Sequence, residues 1–215
     1  MKRMLDEVRK ANKLKMETVK KNLEKRKIIA HYCETGEEAA QKVLDIIQDN
    51  SVVSWGGSAT INTLGIKPKL AERDLTTIDP YSTKDPVESF ERRRQSLTAD
   101  YFLMSSNAVT MDGELVNLDG TSNRVAALCF GPKKVVIVIG ANKIVRDHEA
   151  ALNRARLDAA VPNALRLNKK TPCSATGICG DCTSDDCLCC NIVTTRFCSN
   201  PGRLEVILVN EDLGY

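Results

Sequence analysis

The chain has 215 residues, 42% hydrophobic and 27% charged, with a net charge of only +3 from 31 basic and 28 acidic side chains. This suits a globular protein with one sizeable core and a small appendage, and it gives no reason to expect nucleic acid as a partner. Mixed charges at Lys2, Arg3, Asp6, Glu7, Arg9 and Lys10 exclude a secretory leader, and the longest apolar run, Val135 to Ile139, is too short to span a bilayer, so the expectation is a cytoplasmic protein with no membrane association.

Residues 1–25 carry Leu5, Val8, Met16, Val19 and Leu23 on one helical stripe, which would pack on the core or on a second copy of the chain. Lys27 to Tyr32 reads as a strand. Thr35 and Glu38 form a capping box opening a helix whose apolar face runs through Ala39, Val43, Leu44, Ile46 and Ile47. Ser51 to Trp55 is a strand, followed by a Gly56-Gly57-Ser58 turn and a helix from Ala59 to Ala71 with an irregularity near Gly65 and Pro68. Leu75 to Ile78 is strand-like, and Asp85-Pro86 with Glu88 opens another helix. Tyr101 to Met104 is a strand, a hairpin follows around 111–117, and a helix spans about Ser122 to Cys129. Lys134 to Ile139 reads as a strand covered on both faces. Asp147 caps a helix expected to fade before Pro162. Asn191 to Phe197 and Leu204 to Val209 read as two closing strands around an Asn200-Pro-Gly202 turn.

Strands alternating with helices predict an α/β fold with a three-layer, mostly parallel open sheet. The boundaries are an N-terminal helix (1–25), an α/β core (26–167), and a Cys-rich loop with closing strands (168–215). Ligands of such sheets gather at the C-terminal ends of the strands, where three loops carry candidate chemistry. The first holds Gly56, Gly57, Ser58 and Thr60, which combine free helix-start amides with hydroxyls suited to a phosphate or carboxylate, though a tight turn capped by Ser58 explains it equally well. The second holds Ser105, Ser106, Asn107 and Thr110, then Asp112, Glu114, Asn117, Asp119, Asn123 and Arg124. Any one of these suits a turn, but their number suggests a site in which Arg124 would clamp a carboxylate. The third supplies Asn142 and Lys143. The three loops should meet in one pocket.

The Gly-Gly-Ser-x-Thr turn, Ala108-Val-Thr-x-Asp-Gly-x-Leu-Val-Asn117, Asp119-Gly-x-x-Asn-Arg124 and Gly140-x-Asn-Lys-Ile-Val145 together resemble the lactate-utilization (LUD) domain family from about residue 30 onward. The resemblance implies a fold similar to the ribose-5-phosphate isomerase and coenzyme A transferase superfamily. It also implies a part in the oxidation of lactate to pyruvate beside other lactate-utilization proteins. The resemblance is to the short, single-domain members, expected to lack the long ferredoxin-like extension of the larger family partner.

Seven of nine cysteines fall between Cys173 and Cys198. In a reducing compartment such a cluster reads as metal binding or catalysis before disulfides. By matching to similar short family members, Cys173, Cys179, Cys182 and Cys189 are the expected metal ligands, leaving Cys187, Cys190 and Cys198 as extras. An all-thiolate set suits an iron–sulfur cluster, expected as 4Fe–4S, or zinc as the alternative. Free thiols in a loop are the bland reading. His31 reads as packed or hydrogen-bonded, His148 as exposed and Trp55 as core or pocket wall. Acid–base work therefore falls to Asp112, Glu114, Asp119 or Lys143. Two functions stay open: an oxidoreductase component binding a small anionic hydroxy acid, or a non-catalytic metabolite-binding or redox-sensing protein with a structural metal site.

Overall fold

A computed structural model describes residues 5–215, so the first four residues of the expected N-terminal helix lie outside the described residues. Six parallel strands form the central sheet in the order β1 (Ile29–Cys33), β10 (Leu204–Val209), β7 (Lys134–Gly140), β4 (Tyr101–Met104), β2 (Val52–Trp55) and β3 (Thr76–Ile78). Alternate residues of β7 face opposite layers. Val136 and Val138 pack with Ala39, Val43, Ile61, Ile66 and Leu70 from α2 (Gly36–Ile46), α3 (Ala59–Thr63) and α4 (Ile66–Ala71). Val135, Ile137 and Ile139 pack with Met16, Val19 and Leu23 of α1 (Asp6–Lys25) and with Ala127 and Leu128 of α6 (Asn123–Cys129). The chain is thus an α/β protein with a mostly parallel sheet between two layers, as the alternating pattern implied.

Local signals explain the helix starts. Thr35 Oγ1 accepts from Glu38 N at 3.2 Å, while the Glu38 carboxylate returns to Glu34 N at 2.8 Å, one residue before the cap. Asp85 and Asp147 cap α5 (Pro86–Gln95) and α7 (His148–Arg154) by accepting from Val87 N and Ala150 N. The irregularity after Ala59 is a break at Gly65, whose φ of +60° suits a residue without Cβ.

Two expectations need correction. The helix from His148 does not fade before Pro162: a π-helical stretch, Ala155–Ala160, carries it into α8 (Val161–Arg166). The altered ladder accommodates the ring and the missing N–H of proline, which a regular α-helix interior would not. The two closing strands are not partners. β10 is buried along its whole length between β1 and β7 of the main sheet, whereas β9 (Asn191–Thr195) joins a second sheet ordered β8 (Ile144–Val145), β5 (Ala108–Thr110), β6 (Leu115–Asp119), β9. The N-terminal stripe is only partly covered: Met16, Val19 and Leu23 are buried, but Leu5 is 70% exposed. Among the described residues, no helix is long and apolar enough to cross a membrane.

Candidate functional site: a buried lysine between two arginines, beside a cysteine cavity

The loops after β2, β4 and β7 leave neighbouring strands at one sheet edge, and they converge on Lys143. This side chain is 3% exposed. Its Nζ donates to Thr60 Oγ1 and Ser105 Oγ, each at 2.9 Å. No carboxylate shares those contacts. Burial, then the charges of Arg154 and Arg124, hold the Lys143 amine down to about 7, because each disfavours the ammonium form.

Arg124, at the start of α6, is fixed from all sides. Nη1 donates to Ser105 O (3.1 Å) and Asn117 Oδ1 (2.6 Å), Nη2 to Asn107 Oδ1 (3.1 Å) and Leu118 O, and Nε faces Asp119 Oδ2 at 3.4 Å. Asp119 Oδ1 in turn accepts from Thr121 N and Ser122 N. Arg124 therefore acts here as a strut with its donors occupied, not as the open bidentate clamp that its residue type suggested. Gly56 leaves room for it: a Cβ there would sit 3.1 Å from Arg124 Cγ and Cδ. Arg154, near the end of α7, donates from Nε to Asn142 O at 2.8 Å and from Nη1 to Asn107 O. One polar atom among these buried groups has no partner, the amide nitrogen of Asn117.

The remaining expected residues divide. Ser58 caps α3 by accepting from Ile61 N, so its oxygen serves the fold. Gly57 N donates to Tyr81 OH at 2.7 Å. Asn142 holds the segment after β10, accepting from Leu213 N at 3.1 Å and donating to Gly214 O at 3.3 Å, and Thr60 donates to Leu213 O. This segment packs against the end of β7 so closely that a Cβ at Gly140 would lie 2.7 Å from Glu211 O and Leu213 N. Asn123 is the half-buried first residue of α6. Thr110, Asp112 and Glu114 are not brought to Lys143. They occupy the far turn of the β5–β6 hairpin, where Thr110 Oγ1 accepts from Glu114 N, Arg26 donates to Asp112 O, and Glu114 faces Arg26 and Arg196 at 3.7 Å. Arg154 was not anticipated, because a basic residue in a last helical turn reads as solvated. The buried spacing of Ala151, Ala155 and Ala159 was the available signal that its helix packs tightly.

Cys173, Cys179, Cys182, Cys187 and Cys189 line one small cavity of about 50 Å3, walled also by Arg156, Ala160 and Ala164. All four thiols anticipated as ligands are in this set, and Cys187 joins them. Cys190 is exposed, and Cys198 is buried apart, donating to Asn200 O. Burial, then the neighbouring Cys187, Cys179 and Cys173, push the Cys189 thiol up to about 12. Arg156 ties the loop to the π-helical stretch through Asp181 at 3.0 Å, and Lys169 meets Asp186 at 3.0 Å. As the side chains stand, no three His, Cys, Asp or Glu among the described residues form a ready metal-binding group. The donor chemistry, five thiols lining one cavity and no histidine among them, fits a thiolate-held iron–sulfur or zinc centre. The two sites touch: Gly120, next to Asp119, packs so closely that a Cβ would lie 3.1 Å from Leu188 Cα and 3.5 Å from Cys187 O.

The sequence model of the LUD domain matches residues 16–209. Among solved structures, a DUF162 family protein from Deinococcus radiodurans is similar in fold, with TM-score 0.55 and 13% identity, covering 92% of this chain and 98% of its own. The delta subunit of eIF2B from Chaetomium thermophilum aligns at TM-score 0.35 and 17% identity over 55% of this chain and 50% of its own. No curated protein matches the chain.

Proposed function

The chain belongs to the LUD domain family, and from that premise we propose that it serves lactate utilization by binding a small 2-hydroxy or 2-oxo carboxylate beside Lys143. The observation that carries this reading is the pairing of a buried lysine, bonded only to neutral hydroxyls, with the unpartnered amide of Asn117. A buried donor without an acceptor is costly, and a carboxylate held in this network would supply the acceptor that the Asn117 amide lacks. Arg124 and Arg154 add positive field without giving up their own bonds, and Asn107 joins them through its side-chain and backbone oxygens.

The cysteine cavity is the proposed second centre of the same protein, held by Cys173, Cys179, Cys182 and Cys189 with Cys187 within reach. An iron–sulfur cluster bound there would supply one-electron transfer, whereas zinc would only order the loop. The packing of Gly120 on Cys187 and Leu188 supports a shared role, because it joins the loop to the Asp119–Arg124 pair. Calorimetric titration with L-lactate and with pyruvate tests the first site: binding to wild type and its loss in Lys143→Met are expected. A protein that binds neither acid refutes the reading. Iron, zinc and sulfide content after anaerobic purification tests the second site.

A further inference from the structure

Resting on the carboxylate reading of the Lys143 site, we propose that Lys143 is a nucleophile that forms an imine with the carbonyl carbon of a 2-oxo acid. Lys134 and Lys133, elsewhere in the chain, meet carboxylates at 2.6 and 2.7 Å (Glu205 and Asp100), and such pairing favours the charged, unreactive ammonium. Lys143 is built differently. It is buried, its contacts are the hydroxyls of Thr60 and Ser105, and the charged groups facing it are the guanidiniums of Arg124 and Arg154. A lysine desolvated beside other cations keeps a free lone pair near neutral pH, which is what carbonyl addition requires.

The neighbours suit the step. Ser105 is gripped from two sides, its hydroxyl by Lys143 and its carbonyl by Arg124, so the amine is held against the Arg124–Asn117 network. The unpartnered Asn117 amide lies within that network and would take the substrate carboxylate. Nζ adds to C2 of the acid, giving a carbinolamine. The two amine hydrogens then leave with the former carbonyl oxygen as water, and the C2=N bond forms. Thr60 and Ser105 are placed to pass those protons. No oxidant or reductant is consumed, and water reverses the reaction. A 2-hydroxy acid has no carbonyl to react, so it would bind only reversibly and compete.

The test is reductive trapping with pyruvate. Wild-type protein is incubated with pyruvate and sodium cyanoborohydride, then digested and mapped by mass. One carboxyethyl group on Lys143, appearing ahead of any surface lysine and suppressed by excess L-lactate, is the expected result. Calorimetry on the same preparation separates two failures. Pyruvate that binds while Lys143 stays unlabelled overturns the imine and leaves the carboxylate site standing. Pyruvate and lactate that both fail to bind overturn the site itself, and the imine with it. Lys143→Met should lose the label. Because the wild-type map identifies the modified residue directly, a poorly folded variant does not blunt the result.

Discussion

The Lys143 site and the cysteine segment lie against each other, yet they are ordered by opposite means. Around Lys143 most buried polar groups have backbone or side-chain partners, the Asn117 amide nitrogen excepted: Arg124 alone meets Ser105, Asn107, Asn117, Leu118 and Asp119. Residues 177–190 have almost no regular structure and are held by a few exposed pairs such as Arg156–Asp181. The first region obtains its geometry from the fold. The second presents five thiols around one small cavity, and a bound metal would supply the order that its backbone hydrogen bonds do not.

The largest effect expected from this contrast is therefore local. Anaerobic reconstitution with iron and sulfide should raise amide-exchange protection across residues 173–190 by orders of magnitude while leaving β7 and β10 unchanged, because metal-binding energy becomes folding energy for that segment alone. Single Cys→Ser changes at 173, 179, 182 and 189 should abolish the gain, and Cys198→Ser should keep it. Equal protection in all five variants would break the comparison.

Next in size is Arg124→Ala. Removing one partner of a buried, hydrogen-bonded charge pair costs about 3–5 kcal/mol, here by stranding Asp119 and the oxygens of Ser105, Asn107 and Asn117. Chemical denaturation should show a loss of that order. A loss below about 1 kcal/mol, the scale of a surface pair, would mean that the network is not structural.

Much of this contrast is legible in the chain itself. The nearly continuous apolar run of residues 134–139 and the caps Thr35, Asp85 and Asp147 identify the sheet and its helices, and three polar loops after strands mark one edge. The density of cysteines after Cys173 marks the segment that lines the second cavity. What escapes is set by long-range pairing. Nothing local tells Leu204–Val209 to enter the main sheet between β1 and β7 while Asn191–Thr195 pairs with β6 in another. Asp112 and Glu114 look catalytic by type, but the hairpin register sends them to the far turn against Arg26. Pro162 looks like a stop signal because the π-helical stretch that tolerates it depends on tertiary packing.

A smaller effect follows from pH. The folded protein holds Lys143 at about 7, below the ordinary lysine value of about 10.4. Between those limits the unfolded chain binds more protons, so this residue's penalty is full below pH 7 and fades as pH rises towards 10. Wild type should thus gain stability relative to Lys143→Met between pH 7 and 9, by about 2 kcal/mol at a rate near 1.4 kcal/mol per pH unit. A difference flat in pH would show that the amine is not held neutral. The smallest effect is expected at the hairpin turn: Glu114→Gln removes only long contacts to Arg26 and Arg196 and should cost less than about 1 kcal/mol, with no change in lactate affinity.

The segment after β10 gives the Lys143 site a time dependence. Leu213 and Gly214 are bonded to Thr60, whose hydroxyl also holds the amine, and to Asn142, and a Cβ at Gly140 would lie 2.7 Å from Glu211 O and Leu213 N. Were these contacts the gate to Lys143, they would have to open before a ligand could enter. Association would then be limited by a unimolecular event within the protein, and the observed binding rate should level off at high ligand concentration instead of rising in proportion. In a cell, such a site would average over fast swings in metabolite level and respond to the sustained concentration.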